Sequence, residues 1–197
     1  MARPVTFDKA QMLEKIKDTF WQKGYTDTSI ADLEQATGLK RTSLYAAYGD
    51  KMKMYMLSLS TYQEQSGKYF QSIFEQAAHP IEGIKNFLKA SIVRGTTKGC
   101  FLVNAGVERH QKCVTTTEFI NNNTATILKN FEQQLQLAQD QKLLSEDADI
   151  SLLAQQIFVL KLGVMSGLKN GLNATSLFAT IDASMNMLLY VPEKSTS

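Results

Sequence analysis

The stretch from Thr28 to Lys51 constrains the chain more than any other. Ser29 and Asp32 stand at capping-box spacing, with Thr28 as an alternative cap. Ile30, Leu33 and Ala36 then fall on one helical face. Gly38 supplies a tight turn and Leu39 an apolar residue to pack it. A further short helix follows, with Leu44 and Tyr48 on its inward face and Arg41, Thr42 and Tyr45 on its outward face. Gly49-Asp50 stops it, and Asp50 can cap the next helix at Lys51. Two short helices joined by a glycine turn, with polar and basic residues at the start of the second, form the pattern of a helix-turn-helix.

The rest of the chain reads as helix. Phe7, Ala10, Leu13, Ile16 and Phe20 recur at three- and four-residue steps, and Gly24 ends that first helix as a C-terminal cap. A long fourth helix is expected from Lys51 to Ala78, broken by His79-Pro80. Further helices are expected at Ile81–Arg94, Phe101–His110, Thr117–Gln141, Ile150–Leu168 and Thr175–Leu189. No strand signal stands out. The expected fold is all-α: a three-helix helix-turn-helix unit over residues 1–52 and a larger helical unit over 53–197.

Apolar content of 44% is enough for a core. No apolar run approaches the roughly 20 residues of a membrane span, and the first residues lack the apolar segment of a secretory signal. A cytoplasmic location and no membrane partner are therefore expected. Two cysteines, Cys100 and Cys113, do not make a disulfide framework. Net charge is +2, and residues 1–55 hold nine basic and seven acidic side chains, so the whole excess lies there. An excess that small is weak evidence for nucleic acid.

The chemistry of a DNA contact fits the pattern better than the charge does. Helix N-termini attract phosphate through unpaired N–H groups and the helix dipole. Thr28, Ser29 and Lys51 stand at two such termini and suit the phosphate backbone. Lys40, Arg41, Thr42, Ser43 and Tyr45 crowd the start of the third helix. There, Arg41 can offer a bidentate fork to guanine and the Thr42 methyl can meet a thymine methyl, while Ser43 and Tyr45 suit phosphate. Only such base-edge contacts read sequence.

These residues resemble the N-terminal DNA-binding domain of the TetR/AcrR family of bacterial transcriptional repressors. The match lies in Phe20, Gly24, Tyr25, Thr28 and Ser29, in the turn Thr37-Gly38-Leu39-Lys40, and in Leu44-Tyr45-Ala46-Ala47-Tyr48 followed by Lys51. There are two departures. Lys40 stands where the family has a Ser cap and cannot accept an amide hydrogen bond, and Thr42 stands where a small residue is common. The resemblance implies a regulator of nine or so helices that is not an enzyme, binds double-stranded operator DNA as a homodimer through its DNA-binding domain at 1–52, and responds to a small-molecule effector through an effector-binding and dimerisation domain at 53–197.

For the dimer, the last two helices offer apolar stripes: Leu153, Ile157, Leu160, Val164 and Leu168, beside Gly163, Ser166 and Gly167, and then Leu177, Ile181, Met185 and Leu188. The alternative is that both stripes are ordinary core. For the effector, Phe70, Phe74, Phe87, Ile92, Phe101, Val107, Phe119, Ile127 and Phe131 are candidate walls, with Asn104, Glu108 and His110 as polar contacts. Cys100, beside Gly99 and Lys98 at a helix start, is a candidate electrophile or redox sensor, with a buried structural thiol as the alternative. His110 and Cys113 share a spacing, but no C-x-x-C or paired histidines support a metal site, and neither metal nor cofactor is expected. An architectural DNA-bound protein without a ligand is the remaining alternative.

Overall fold

A computed structural model describes residues 7–95, 98–109 and 113–189. His110 lies outside these, and so does its part in any site. Among the described residues the chain forms nine α-helices and no strand, in agreement with the all-α expectation. They are α1 (Lys9–Asp27), α2 (Ile30–Thr37), α3 (Arg41–Tyr48), α4 (Lys51–Gln76), α5 (Pro80–Gly95), α6 (Phe101–Arg109), α7 (Val114–Asp140), α8 (Ile150–Lys169) and α9 (Ala174–Leu188).

Local signals set most boundaries. Asp8 caps α1, accepting the N–H groups of Ala10 at 2.9 Å and Gln11 at 3.1 Å. Gly24, at φ 80° and ψ 174°, breaks the regular helix three residues before the end of α1. One boundary differs from expectation. The threonine run at 115–117 lies inside α7, which begins at Val114. The Thr117 hydroxyl donates to the Cys113 carbonyl at 3.0 Å, so the helix itself satisfies a residue type that often marks a turn.

The described residues pack as two compact units. One comprises the chain up to Ser66 together with Phe101–Ile120; the other comprises Gly67–Cys100 and the chain from Asn121 onward. This division by packing is distinct from the division by role at residue 52, which remains a proposal. In the first unit Ile16, Phe20, Leu33, Leu44 and Tyr55 are almost wholly buried. Met12, and not Ala10, completes the buried face of α1. Phe101 of α6 closes this core with its ring centroid 5.9 Å from that of Tyr55 and 5.8 Å from that of Tyr62.

In the second unit, α5, α8 and α9 pack against one another, and α7 adds Phe131 and Leu135. Here the stripes assigned to dimer pairing need correction. Ile157, Val164, Leu177, Ile181 and Met185 are buried within their own chain, and Leu153, Leu160, Leu168 and Leu188 pack against the same core. The periodicity identified a covered face, but the chain itself covers it. The apolar residues that stay exposed are others: Leu152 and Val159 on α8 and Met187 on α9. A second correction concerns α8, which is long and apolar enough to cross a membrane by length and composition alone. A core helix passes the same test, and α8 buries Ala154, Ile157, Val164 and Met165 in this unit.

Candidate nucleic-acid interface

The turn between α2 and α3 is built from local bonds. The Ser29 hydroxyl accepts the Asp32 N–H at 3.1 Å, and the Asp32 carboxylate accepts the Ser29 N–H at 2.7 Å, completing the capping box. The Lys23 ammonium and the Ser29 bonds hold the Asp32 carboxyl well below the usual carboxylate range. Gly38 takes the left-handed conformation at φ 74° and donates to the Glu34 carbonyl. The Thr37 hydroxyl then accepts the Leu39 N–H at 3.2 Å.

Lys40 sits at the N-cap of α3 and, as its chemistry requires, provides no side-chain cap. Glu34 does the work instead, its carboxylate accepting the Arg41 N–H at 2.7 Å. The far end of α3 is anchored by Leu44 and Tyr48, both buried, and the Tyr48 hydroxyl donates to the Lys9 carbonyl at 2.8 Å. Burial, with Asp8 nearby, raises the Tyr48 phenol above its ordinary pKa. This anchoring leaves Lys40, Arg41, Thr42 and Tyr45 exposed on one edge, with Ser43 half-buried between them.

The predicted backbone-contacting residues divide. Ser29 is exposed, although its hydroxyl is engaged with Asp32. Lys51 opens α4, where Asp50 caps through the Lys53 N–H at 2.8 Å, and its ammonium lies 4.4 Å from the centre of the Tyr25 ring. The Thr28 side chain is only 1% exposed, and its hydroxyl donates to the Gly24 carbonyl at 2.6 Å. In this conformation its hydroxyl secures the turn.

The residues proposed for an effector also divide, between the two units. Phe70, Phe74 and Phe131 gather in the second unit. The Phe70 ring centroid lies 4.3 Å from that of Phe74 and 6.3 Å from that of Phe131. Phe87, another of the candidate walls, sits edge-on to Phe70 at 4.9 Å. Phe101, Asn104 and Glu108 lie on α6 in the first unit. Phe101 is a core residue there, and the Glu108 carboxylate accepts the N–H groups of Tyr25 at 2.9 Å and Thr26 at 2.6 Å. Cys100 is buried.

Sequence reasoning missed two polar residues, Glu34 and Lys161, and gave Glu108 a different role. Glu34 caps a helix seven residues on, and Glu108 reaches a turn 83 residues away. Lys161 lies at the middle of the buried face of α8 and is 6% exposed. A lysine on an otherwise apolar helical face was the available signal for Lys161, and the missing cap at Lys40 was the signal for Glu34.

No protein-family model matches the chain. It is 26% identical over 193 residues to the HTH-type transcriptional regulator YezE of Bacillus subtilis, covering 95% of this chain and all of that protein. It is 33% identical over 107 residues to the HTH-type transcriptional repressor ComR of Escherichia coli, covering 52% of this chain and 51% of that one. Among solved structures it resembles a cysteine-substituted form of the TetR-family regulator CifR in complex with 26-bp double-stranded operator DNA. The TM-score is 0.84 at 24% identity, covering 94% of this chain and 98% of that one. It also resembles a TetR regulator from Chloroflexus aurantiacus, with a TM-score of 0.83 at 17% identity, covering 91% and 93% of the two chains. The chain has the fold of the TetR-family transcriptional regulators.

Proposed function

We propose that the chain is a one-component transcriptional regulator, acting as a repressor, which binds a palindromic operator as a homodimer and is modulated by a small-molecule effector. The observation that carries this reading is the free leading edge of α3. Arg41, Thr42 and Tyr45 are exposed while Leu44 and Tyr48 hold the same helix in the core. An edge of that kind can enter a major groove without unfolding anything behind it. The operator-bound state of the similar CifR structure supports the same reading. The regulator is proposed to be cytoplasmic, with no membrane partner and no enzymatic activity.

The homodimer is proposed to form through α8 and α9, by faces other than the stripes the sequence suggested. Leu152, Val159 and Gly163 share the outward side of α8, and a Cβ built at Gly163 meets nothing within 4 Å. Ala179, Ala183 and Met187 are exposed on α9. Small residues beside exposed apolar ones let two helices approach closely. The effector is assigned to the second unit, where Phe70, Phe74 and Phe131 gather. A thiol-sensing role for Cys100 finds no support in its burial, since buried cysteines are generally inert.

Selection of bound duplexes from a random library by the purified chain tests the proposal. A palindrome with half-sites about 34–36 Å apart, bound less tightly as salt rises, is expected. Binding that ignores sequence, or no duplex binding at low salt, would remove it.

A further inference from the structure

Within the first unit, α6 is tied to the helices of the reading head at both of its ends. At its start Phe101 sets its ring edge-on to Tyr55 and Tyr62 of α4 and stacks 6.4 Å from Trp21 of α1. Toward its other end the Glu108 carboxylate accepts the N–H groups of Tyr25 and Thr26. The two ties differ in kind. The aromatic contact packs one side chain among others. The carboxylate fixes a stretch of backbone, and a charged acceptor makes the stronger class of hydrogen bond.

What it fixes is residue 25. Gly24, at φ 80° and ψ 174°, departs from helical geometry, so regular helix does not dictate where Tyr25 stands. The Glu108 bonds and an edge-on contact with Tyr55, ring centroids 5.0 Å apart, hold it instead. The Tyr25 ring in turn lies 4.4 Å from the ammonium of Lys51, the first residue of α4. An ammonium is attracted to the face of an aromatic ring. A lysine head rides on a flexible four-carbon stem, and ordering that stem opposes any contact it makes. A ring held in one place offsets part of this cost before a phosphate arrives.

We propose that Glu108 is a positioning residue for duplex binding: by holding the Tyr25 backbone it sets the aromatic face that places the Lys51 ammonium for a phosphate. The inference rests on the reading of Lys51 as a backbone contact of a DNA-binding regulator. It adds to that contact a residue 83 positions from Tyr25, on a helix outside the reading head.

A double-mutant cycle tests it, read as affinity for a mixed-sequence duplex of about 30 base pairs at low salt, where backbone contacts dominate. All variants are compared well below their melting temperatures, so that stability alone moves nothing. Glu108→Ala should bind the duplex about threefold or more less tightly. Removing an acid by itself strengthens attraction to a phosphate backbone, so this loss runs against the charge change. Glu108→Gln keeps one accepting oxygen; it should lose less in the same direction, and it carries the test should the Ala form misfold. In a Lys51→Ala background the Glu108 substitutions should cost nothing further. Tyr25→Leu should copy Glu108→Ala, and Tyr25→Phe, which keeps the ring face, should bind as wild type does. Wild-type affinity in the folded Glu108 variants overturns the proposal. An equal loss with and without Lys51 also overturns it, since Glu108 would then act on the fold at large. Unchanged affinity in Lys51→Ala removes the phosphate role of Lys51 and this inference with it. A wild type that binds no duplex removes the regulator reading as well.

Discussion

The Glu108 carboxylate, on α6, accepts the backbone N–H of Tyr25 at 2.9 Å, at the turn that leads into the α2–α3 hairpin. Its second oxygen takes the Thr26 N–H, so one side chain holds two successive amides of that turn. Gly24 makes the approach possible. A Cβ there would stand 2.8 Å from a Glu108 oxygen, and φ +80° is a conformation L-residues rarely adopt. Glu108→Ala should lower stability by about 1–3 kcal/mol, because two amides lose a charged acceptor. Gly24→Ala should cost of order 1–3 kcal/mol through backbone strain alone. Urea unfolding of each variant measures both. A Gly24→Ala protein as stable as wild type would show that the turn adapts.

Glu34 is expected to contribute as the cap of α3. Glu34→Ala should destabilise the protein by about 0.5–2 kcal/mol. Lys40→Ser added to that variant should restore part of the loss, because a serine at the N-cap can accept an amide hydrogen bond that lysine cannot. Thermal melts of the single and double variants decide the matter, and no rescue by serine would count against the capping role.

Arg41 and Lys51 are expected to separate in operator binding. Arg41→Ala should lose about 1–3 kcal/mol of discrimination at one base position. Lys51→Ala should weaken all duplexes alike and reduce the salt slope by about 1. It should also lose a contact with the Tyr25 ring. Titrations of matched and mismatched duplexes at several salt concentrations distinguish the two. A uniform loss for Arg41→Ala would deny it a reading role.

Asp32 sets a pH dependence. Its carboxyl is held below the usual range in the folded chain by Lys23 and Ser29, so the unfolded chain takes up a proton at the higher pH. The stabilisation is therefore present above about pH 4 and is lost as pH falls further toward the folded value. The melting-temperature gap between wild type and Asp32→Asn should be widest near neutrality and should close below about pH 4. A gap that does not change with pH would place the effect in packing and not in charge.

Val159 tests the proposed dimer face. It is 64% exposed on α8, beside Gly163. Val159→Asp should raise the dimer dissociation constant by about tenfold or more with little change in the monomer's melting temperature. Sedimentation equilibrium reads the first quantity. An unchanged dimer would move the interface elsewhere.

The reading head was largely legible because its signals are local. Ser29 with Asp32, Gly24 and Gly38, and the Leu44–Tyr48 pair all act within a few residues, and the structure places each as the pattern implies. What escaped the sequence acts at a distance or depends on what lies opposite. Nothing near Glu108 in the chain indicates that it will hold the turn after Gly24. The apolar stripes of α8 and α9 gave the right faces but not the neighbour. Helical periodicity reports that a side is covered, and the same repeat serves a chain's own core or a partner. The phenylalanines at 70, 74, 101 and 131 look alike in sequence, yet Phe101 belongs to a different packing unit from the other three.

Because Glu34 on α2 secures the first amide of α3, the residue at position 40 has no structural duty at that helix end. The side chains at 41, 42 and 45 face outward and are likewise released from holding the head together. A lineage could rewrite these positions one at a time, acquiring new operator preferences without passing through an unstable intermediate. The scaffold stays constant while its vocabulary drifts.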